Sequence, residues 1–243
     1  MSNNFEEAPL FSLFWENSKL NKQTARQLLI KLDRDAHISS NMPQLYYPTE
    51  DNVLKKPTDY LAKIMRRRKS TRSFADTPIT EKHLGSLLYG FSQDSNRRLL
   101  PSAGAKYPIE VYGLLFNIKG NLNKNIIYYS PDNHSVSRVG SCPPWEEFEV
   151  VMGTNLDGAP AAVFIFVGAP DRVVKKYGER GGRFVLIEAG HYAQNLGLRL
   201  IKEGLAGVEL GGLYDDDVKK LLKLEKAQVI VSLGYAVGFE KIK

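Results

Sequence analysis

Arg68, Ser70 and Arg72 fall within five positions of the stretch RRRKSTRSF. Two guanidinium forks and a hydroxyl so close together can converge on one phosphate, because each fork matches a pair of phosphate oxygens. The stretch reads equally well as the solvated end of a helix, where cations offset exposed carbonyls. A second group is LLPSAGAKYPIE, where Pro101, Ser102, Ala103 and Gly104 set the smallest side chains of the region directly ahead of a strand-like segment. Small residues let a flat partner approach the main chain, and Pro and Gly also punctuate ordinary tight loops. In ELGGLYDDD, Gly211 and Gly212 precede a helix and can aim backbone N–H groups at a ligand or simply turn the chain. In KKYGERGGR, Lys176 and Tyr177 put two proton-handling side chains beside a glycine-rich bend.

Other chemistries find little support. The histidines, His37, His83, His134 and His191, stand at no metal-ligand spacing, and the single cysteine, Cys142, has no hydrolase signature around it. Neither GxGxxG nor GxxxxGK[ST] occurs, so the usual dinucleotide and triphosphate loops are absent. The formal net charge of +6 invites an anion, but the cations are dispersed apart from Arg66-Arg67-Arg68-Lys69, and no nucleic-acid-binding module accompanies them. Nucleic acid is therefore not an expected partner. No apolar run reaches membrane-spanning length, no secretory leader opens the sequence, and a lone cysteine fits a reducing compartment, so the expectation is a cytoplasmic protein without a membrane partner.

The elements that must hold these residues follow from pattern. With 243 residues and 43% hydrophobic content, one sizeable core is the simplest arrangement. Residues 1–55 are polar, broken by Pro43 and Pro48, and read as an irregular arm wrapping a core formed by residues 56–243. Thr58 is positioned to cap a helix running into the basic cluster, and Thr80 to cap another that stops at Gly90. EVYGLLFNI and IIYYS, joined by the polar GNLNKN, predict a hairpin. PAAVFIFVG predicts a central strand covered on both faces. The longest helix is expected over GGRFVLIEAGHYAQNLGLRLIKEG, with Gly204 as its stop. A short strand in LAGVELGGL, a helix capped by Asp215 and a last strand in AQVIVSLGY complete an α+β sandwich whose largely antiparallel central sheet is covered by helices.

Taken in order, FWENSKL, RRKSTRSF, PSAGAKYPIEVY, YYSPDNH, KYGERGGRFVLIEAGHYAQNLGL and GGLYDDDVKKLL resemble the FMN-dependent nitroreductase superfamily. Within it they are most similar to the SagB-type dehydrogenases, which oxidise azoline rings in thiazole/oxazole-modified peptides. The resemblance implies a nitroreductase-like three-layer sandwich and FMN as cofactor. It implies that Arg68, Lys69, Ser70 and Arg72 hold the phosphate and ribityl chain, that Pro101, Ser102, Ala103 and Gly104 pass beside the ring, and that Gly211 and Gly212 lie near its N5 edge. Lys176 and Tyr177 take the role of proton-transfer pair. It further implies a homodimer with flavin at the subunit interface, a peptide substrate and a cyclodehydratase as companion. Two rival readings share the fold: an NAD(P)H-dependent reductase of nitroaromatics or quinones, and a flavin-binding scaffold subunit without turnover.

Overall fold

The computed structural model describes residues 5–35 and 53–242. Helices α1 (Pro9–Ser18), α2 (Lys22–Asp35) and α3 (Tyr60–Arg67) precede the short strand β1 (Ile79–Thr80), helix α4 (Glu81–Tyr89) and the two-residue strands β2 (Gln93–Asp94) and β3 (Arg97–Arg98). After a 3-10 turn at Ala103–Ala105 come β4 (Ile109–Leu115), β5 (Ile118–Lys119), β6 (Asn125–Ser130), β7 (Ser135–Ser141), α5 (Trp145–Glu149) and β8 (Ala162–Gly168). Helices α6 (Asp171–Tyr177) and α7 (Glu179–Lys202), strand β9 (Ala206–Leu210), helix α8 (Asp215–Leu221) and strand β10 (Ile230–Gly238) complete the chain.

Six strands form the main sheet in the order β7-β6-β4-β8-β10-β9, and every pairing in it is antiparallel. The expected hairpin is β4 with β6, in register Tyr112 to Tyr128 and Leu114 to Ile126. All seven residues of β8 are buried, and their alternation explains why. Phe164 and Phe166 face the core beneath α1, α4 and α7, whereas Val163, Ile165 and Val167 face the second core with Trp145, Phe148 and Val218. Each buried Phe or Val of this strand contributes about 1.5–3 kcal/mol of hydrophobic burial, so the strand anchors both layers of the sandwich.

Local caps follow the sequence with two corrections. Thr80 caps α4 in a reciprocal capping box with His83, and Gly90 ends that helix. The cap of α3 is Asp59, whose side chain accepts from Ala62 N, in place of Thr58. Asp215 is the first residue of α8, not its cap, and its buried carboxylate accepts from the distant Leu20 N at 3.2 Å. The glycine-rich bend expected over residues 178–182 is a single break: Gly178 turns the chain at φ +53, while Gly181 and Gly182 already lie buried inside α7.

Residues 5–35 are helical where an irregular arm was expected, and Pro43 and Pro48 lie outside the described residues. Phe5, Ala8, Phe11 and Trp15 enter the same core as α4 and α7. The Phe11 ring occupies the space that a Cβ on Gly182 would take, so α1 sits directly on the α7 backbone. Both Glu179 carboxylate oxygens accept from the free N–H groups at the start of α1, those of Leu10 and Phe11, at 2.8 Å each.

Candidate active site

The small-residue loop and the Lys-Tyr pair meet. A Cβ on Gly104 would lie 2.5 Å from Tyr177 Oη and 3.0 Å from Lys176 Nζ, and Gly104 itself adopts φ +59. A side chain at this conformation would be strained, and its Cβ would displace the ends of both side chains. Lys176 and Tyr177 are delivered by the last turn of α6, which stops at Gly178. Lys176 Nζ stands 5.2 Å over the Tyr177 ring, which Phe184 also approaches edge-on at 5.0 Å. Tyr177 is half-buried and Lys176 is exposed, so within one chain the lysine keeps its contact with solvent.

The loop is pinned from behind. Ser102 Oγ accepts from Tyr107 N at 2.8 Å, and the Tyr107 carbonyl accepts from Arg172 at 2.7 Å. Arg98 lies 5.1 Å over the Tyr107 ring. Ala105 and Tyr107 both hold positive φ, at 54° and 46°, a strain that these contacts offset.

Between this loop and α7 lies a cavity of about 230 Å³ lined by Pro101, Ser102, Ala103, Phe184, Glu188 and His191. Glu188 was not singled out from the sequence. It is 2% exposed, and neither carboxylate oxygen has a hydrogen-bond partner. Burial pushes its pKa up to about 7, a rise opposed by the Ser102 hydroxyl, which is near but outside good hydrogen-bond geometry, and by the Arg172 and Arg98 charges. A signal was available: Val185, Glu188, Ala189 and Tyr192 form one helical stripe, and an acid inside an apolar stripe is a buried acid.

The cationic segment lies elsewhere. Arg66 and Arg67 close α3, and Thr71 N donates to Gly207 O at 3.0 Å, which lays the segment alongside the sheet's edge strand β9. Arg67, Lys69 and Thr71 line a cleft of about 250 Å³ with Ala206 and Glu240. Arg68, Ser70 and Arg72 do not line that cleft. Lys69 is paired with Glu240 at 2.7 Å, whereas Arg68 and Arg72 have no acidic partner within 4 Å among the described residues. Two unneutralised guanidinium groups remain available to an anion.

Gly211 and Gly212 follow the far end of β9, four residues beyond Gly207 and so about 13 Å from the cationic end. Gly211 opens on a cavity of about 280 Å³, and no atom lies within 4 Å of where its Cβ would be. Helix α7 separates this assembly from the loop. Glu188 lines the loop cavity and Ile201 the cationic cleft, and thirteen residues of helix place them about 20 Å apart. One chain therefore brings Pro101, Ser102, Ala103 and Gly104 to Lys176 and Tyr177, and brings Arg68, Ser70 and Arg72 to the same strand as Gly211 and Gly212, but leaves the two groups apart. Among the described residues no cluster of His, Cys, Asp and Glu is arranged to hold a metal, and no helix is long and apolar enough to cross a membrane.

Comparison with known proteins bears on this arrangement. A protein of Methanocaldococcus jannaschii named as a nitroreductase is 29% identical over 175 residues, covering 70% of this chain and 88% of its own length. The microcin B17-processing protein McbC of Escherichia coli is 29% identical over 142 residues, covering 56% of this chain and 52% of McbC. A chain of the E. coli microcin synthetase McbBCD complex, solved with truncated pro-microcin B17 bound, superposes with a TM-score of 0.70 at 21% identity, covering 93% of this chain and 96% of that one. Residues 65–239, which hold the cationic segment, the small-residue loop, the Lys-Tyr pair and the glycine pair, match the nitroreductase family throughout, and the chain belongs to that family.

Proposed function

We propose that the protein is an FMN-dependent azoline oxidase acting on a ribosomally made peptide. The observation that carries this reading is the contact of Gly104 with Tyr177 Oη and Lys176 Nζ, because it joins a loop built for a flat ring to a pair built for proton transfer. The residues present also fit a phosphorylated ring. Arg68 and Arg72 offer unneutralised guanidinium groups at one end of β9, and Gly211 offers open backbone at the other, with Gly212 packed against Thr154 behind it.

Converting an azoline to an azole removes a proton from a ring carbon and a hydride equivalent from the ring. When bound, FMN would supply the acceptor for the hydride equivalent, with oxygen as the final oxidant. Lys176 Nζ, when neutral, takes the proton, and Tyr177 Oη orients the ring beside it. Ser102 holds the loop in the conformation that keeps Gly104 against the pair.

A second copy of the chain completes the site in this reading. Arg68 and Gly211 of one copy would act with Gly104 and Lys176 of the other, which resolves the 20 Å separation along α7. Exposed Tyr60, Leu61 and Met65 on α3, together with Ile187 on α7, supply apolar surface for such an interface. The microcin B17-processing relative and the synthetase complex solved with a pro-peptide support a peptide substrate and work within a synthetase complex, in which we propose a cyclodehydratase as companion.

Purified protein should be yellow and release FMN on denaturation. It should convert an azoline-bearing peptide in air without nicotinamide, and Lys176→Ala should retain flavin but lose turnover by about a hundredfold or more. Colourless protein that stays so in excess FMN would overturn the reading. Turnover of quinones or nitroaromatics only with NAD(P)H would replace it with the general reductase, and bound flavin that no donor reduces would replace it with the scaffold.

A further inference from the structure

Glu188 is a costly residue at its position. Val185, Ala189 and Tyr192 share its buried stripe of α7, and a carboxyl set among them with no hydrogen-bond partner is destabilising unless it serves something. The two cations whose charge reaches it are already committed. Arg172 donates to the Tyr107 carbonyl at 2.7 Å and pairs with Glu110, and Arg98 pairs with Asp132 at 2.8 Å. Neither forms an ion pair with Glu188.

What stands beside Glu188 is Ser102. Both line the cavity of about 230 Å³ between the small-residue loop and α7, and the hydroxyl lies near the carboxyl but outside good hydrogen-bond geometry. Ser102 Oγ accepts from Tyr107 N at 2.8 Å, which leaves its own proton to offer, and a carboxyl can take that proton through either oxygen. Of Pro101, Ser102 and Ala103, which face α7 across the cavity, only Ser102 carries a hydrogen-bonding side chain. The loop needs a hold on this side. Gly104, Ala105 and Tyr107 all carry positive φ, and Arg98 and Arg172 reach the loop only at Tyr107.

We infer that Glu188 is a positioning residue for the small-residue loop: its carboxyl accepts the Ser102 hydroxyl proton as the loop settles onto α7, and through Ser102 Oγ and Tyr107 N this bond keeps Gly104 against Lys176 and Tyr177. Glu188 touches no reacting atom in this role. The inference deepens the reading above, because the loop it holds is the one set beside the ring, but the hold itself does not depend on flavin. The Tyr192 hydroxyl, one turn further along α7, is the competing donor.

Amide exchange and turnover of the full-length protein test this. Glu188→Leu should lower protection of the Tyr107 N–H about three- to tenfold, the amount expected for one neutral hydrogen bond, whereas Glu188→Gln, whose amide oxygen still accepts, should stay within about twofold of wild type. On an azoline peptide, kcat should fall by a similar factor in Glu188→Leu with KM little changed, and Glu188→Gln should restore it. In a Ser102→Ala background, Glu188→Leu should have no further effect on either readout. The Glu188 carboxyl carbon resonance should move in Ser102→Ala and stay in place in Tyr192→Phe, which decides the matter even if Glu188→Leu does not fold. Unchanged Tyr107 protection in a folded Glu188→Leu protein, or a carboxyl resonance that answers to Tyr192→Phe and not to Ser102→Ala, would overturn the inference. Wild-type protein that shows the exchange effects but converts no azoline would leave the hold standing and sink the FMN reading.

Discussion

Gly104 and Glu188 are the two residues whose surroundings most constrain what they do. Gly104→Ala forces a left-handed backbone on a residue that disfavours it, at about 1–2 kcal/mol, and pushes a methyl against Tyr177 and Lys176. The thermal midpoint should fall by about 2–8 °C, and turnover should fall with it, measured by a melt and by azoline conversion. Glu188 titrates near 7 in the folded chain against an ordinary value of 4.5. Between those values the folded state holds a proton that the unfolded state has lost, so stability falls as pH rises through the window. Glu188→Gln keeps the shape and cannot ionise. Denaturant unfolding from pH 4 to 8 should show the variant gaining on wild type as pH rises, by on the order of 1–3 kcal/mol at the top of the range. Parallel curves would mean the carboxylate is solvated.

At the scale of elements, Glu179 links the site to the N-terminal helix, since it begins α7 immediately after Gly178 and caps α1 with two 2.8 Å bonds. Glu179→Ala should cost about 1–2 kcal/mol and raise amide exchange across Pro9–Ser18 before it changes exchange in β8. An unaltered exchange pattern would show that Phe11 and Trp15 hold α1 without the cap. Most elements were legible in the sequence because their signals are local. The run PAAVFIFVG became β8 as expected, and Thr80 capped α4 through His83, three residues on. Two cap assignments were not legible. Thr58 and Asp59 are adjacent capping residues, and only the bond to Ala62 distinguishes them. Asp215 has the type and place of a cap, but its carboxylate is drawn to Leu20, which no local pattern can announce.

For the whole molecule, the separation along α7 predicts a site divided between two copies. Lys176→Ala and Arg68→Ala/Arg72→Ala chains should each be inactive alone. Co-refolded in equal amounts, they should recover about a quarter of wild-type activity, because half of randomly paired dimers are mixed and each mixed dimer has one intact site. No recovery from a confirmed mixed dimer would show that each site lies within one chain.

The sequence by itself determined the layers of the sandwich, the central strand and the residue types offered to a phosphate and a flat ring, since these depend on period, capping and chemistry within a few positions. Only the tertiary structure decided which of those residues meet. It set Gly104 against Lys176 and Tyr177 across more than seventy positions, buried Glu188 without a partner and brought Trp15 to the cavity at Gly211. Those meetings depend on how α1, α6 and α7 pack, and packing is a property of surfaces far apart in the chain.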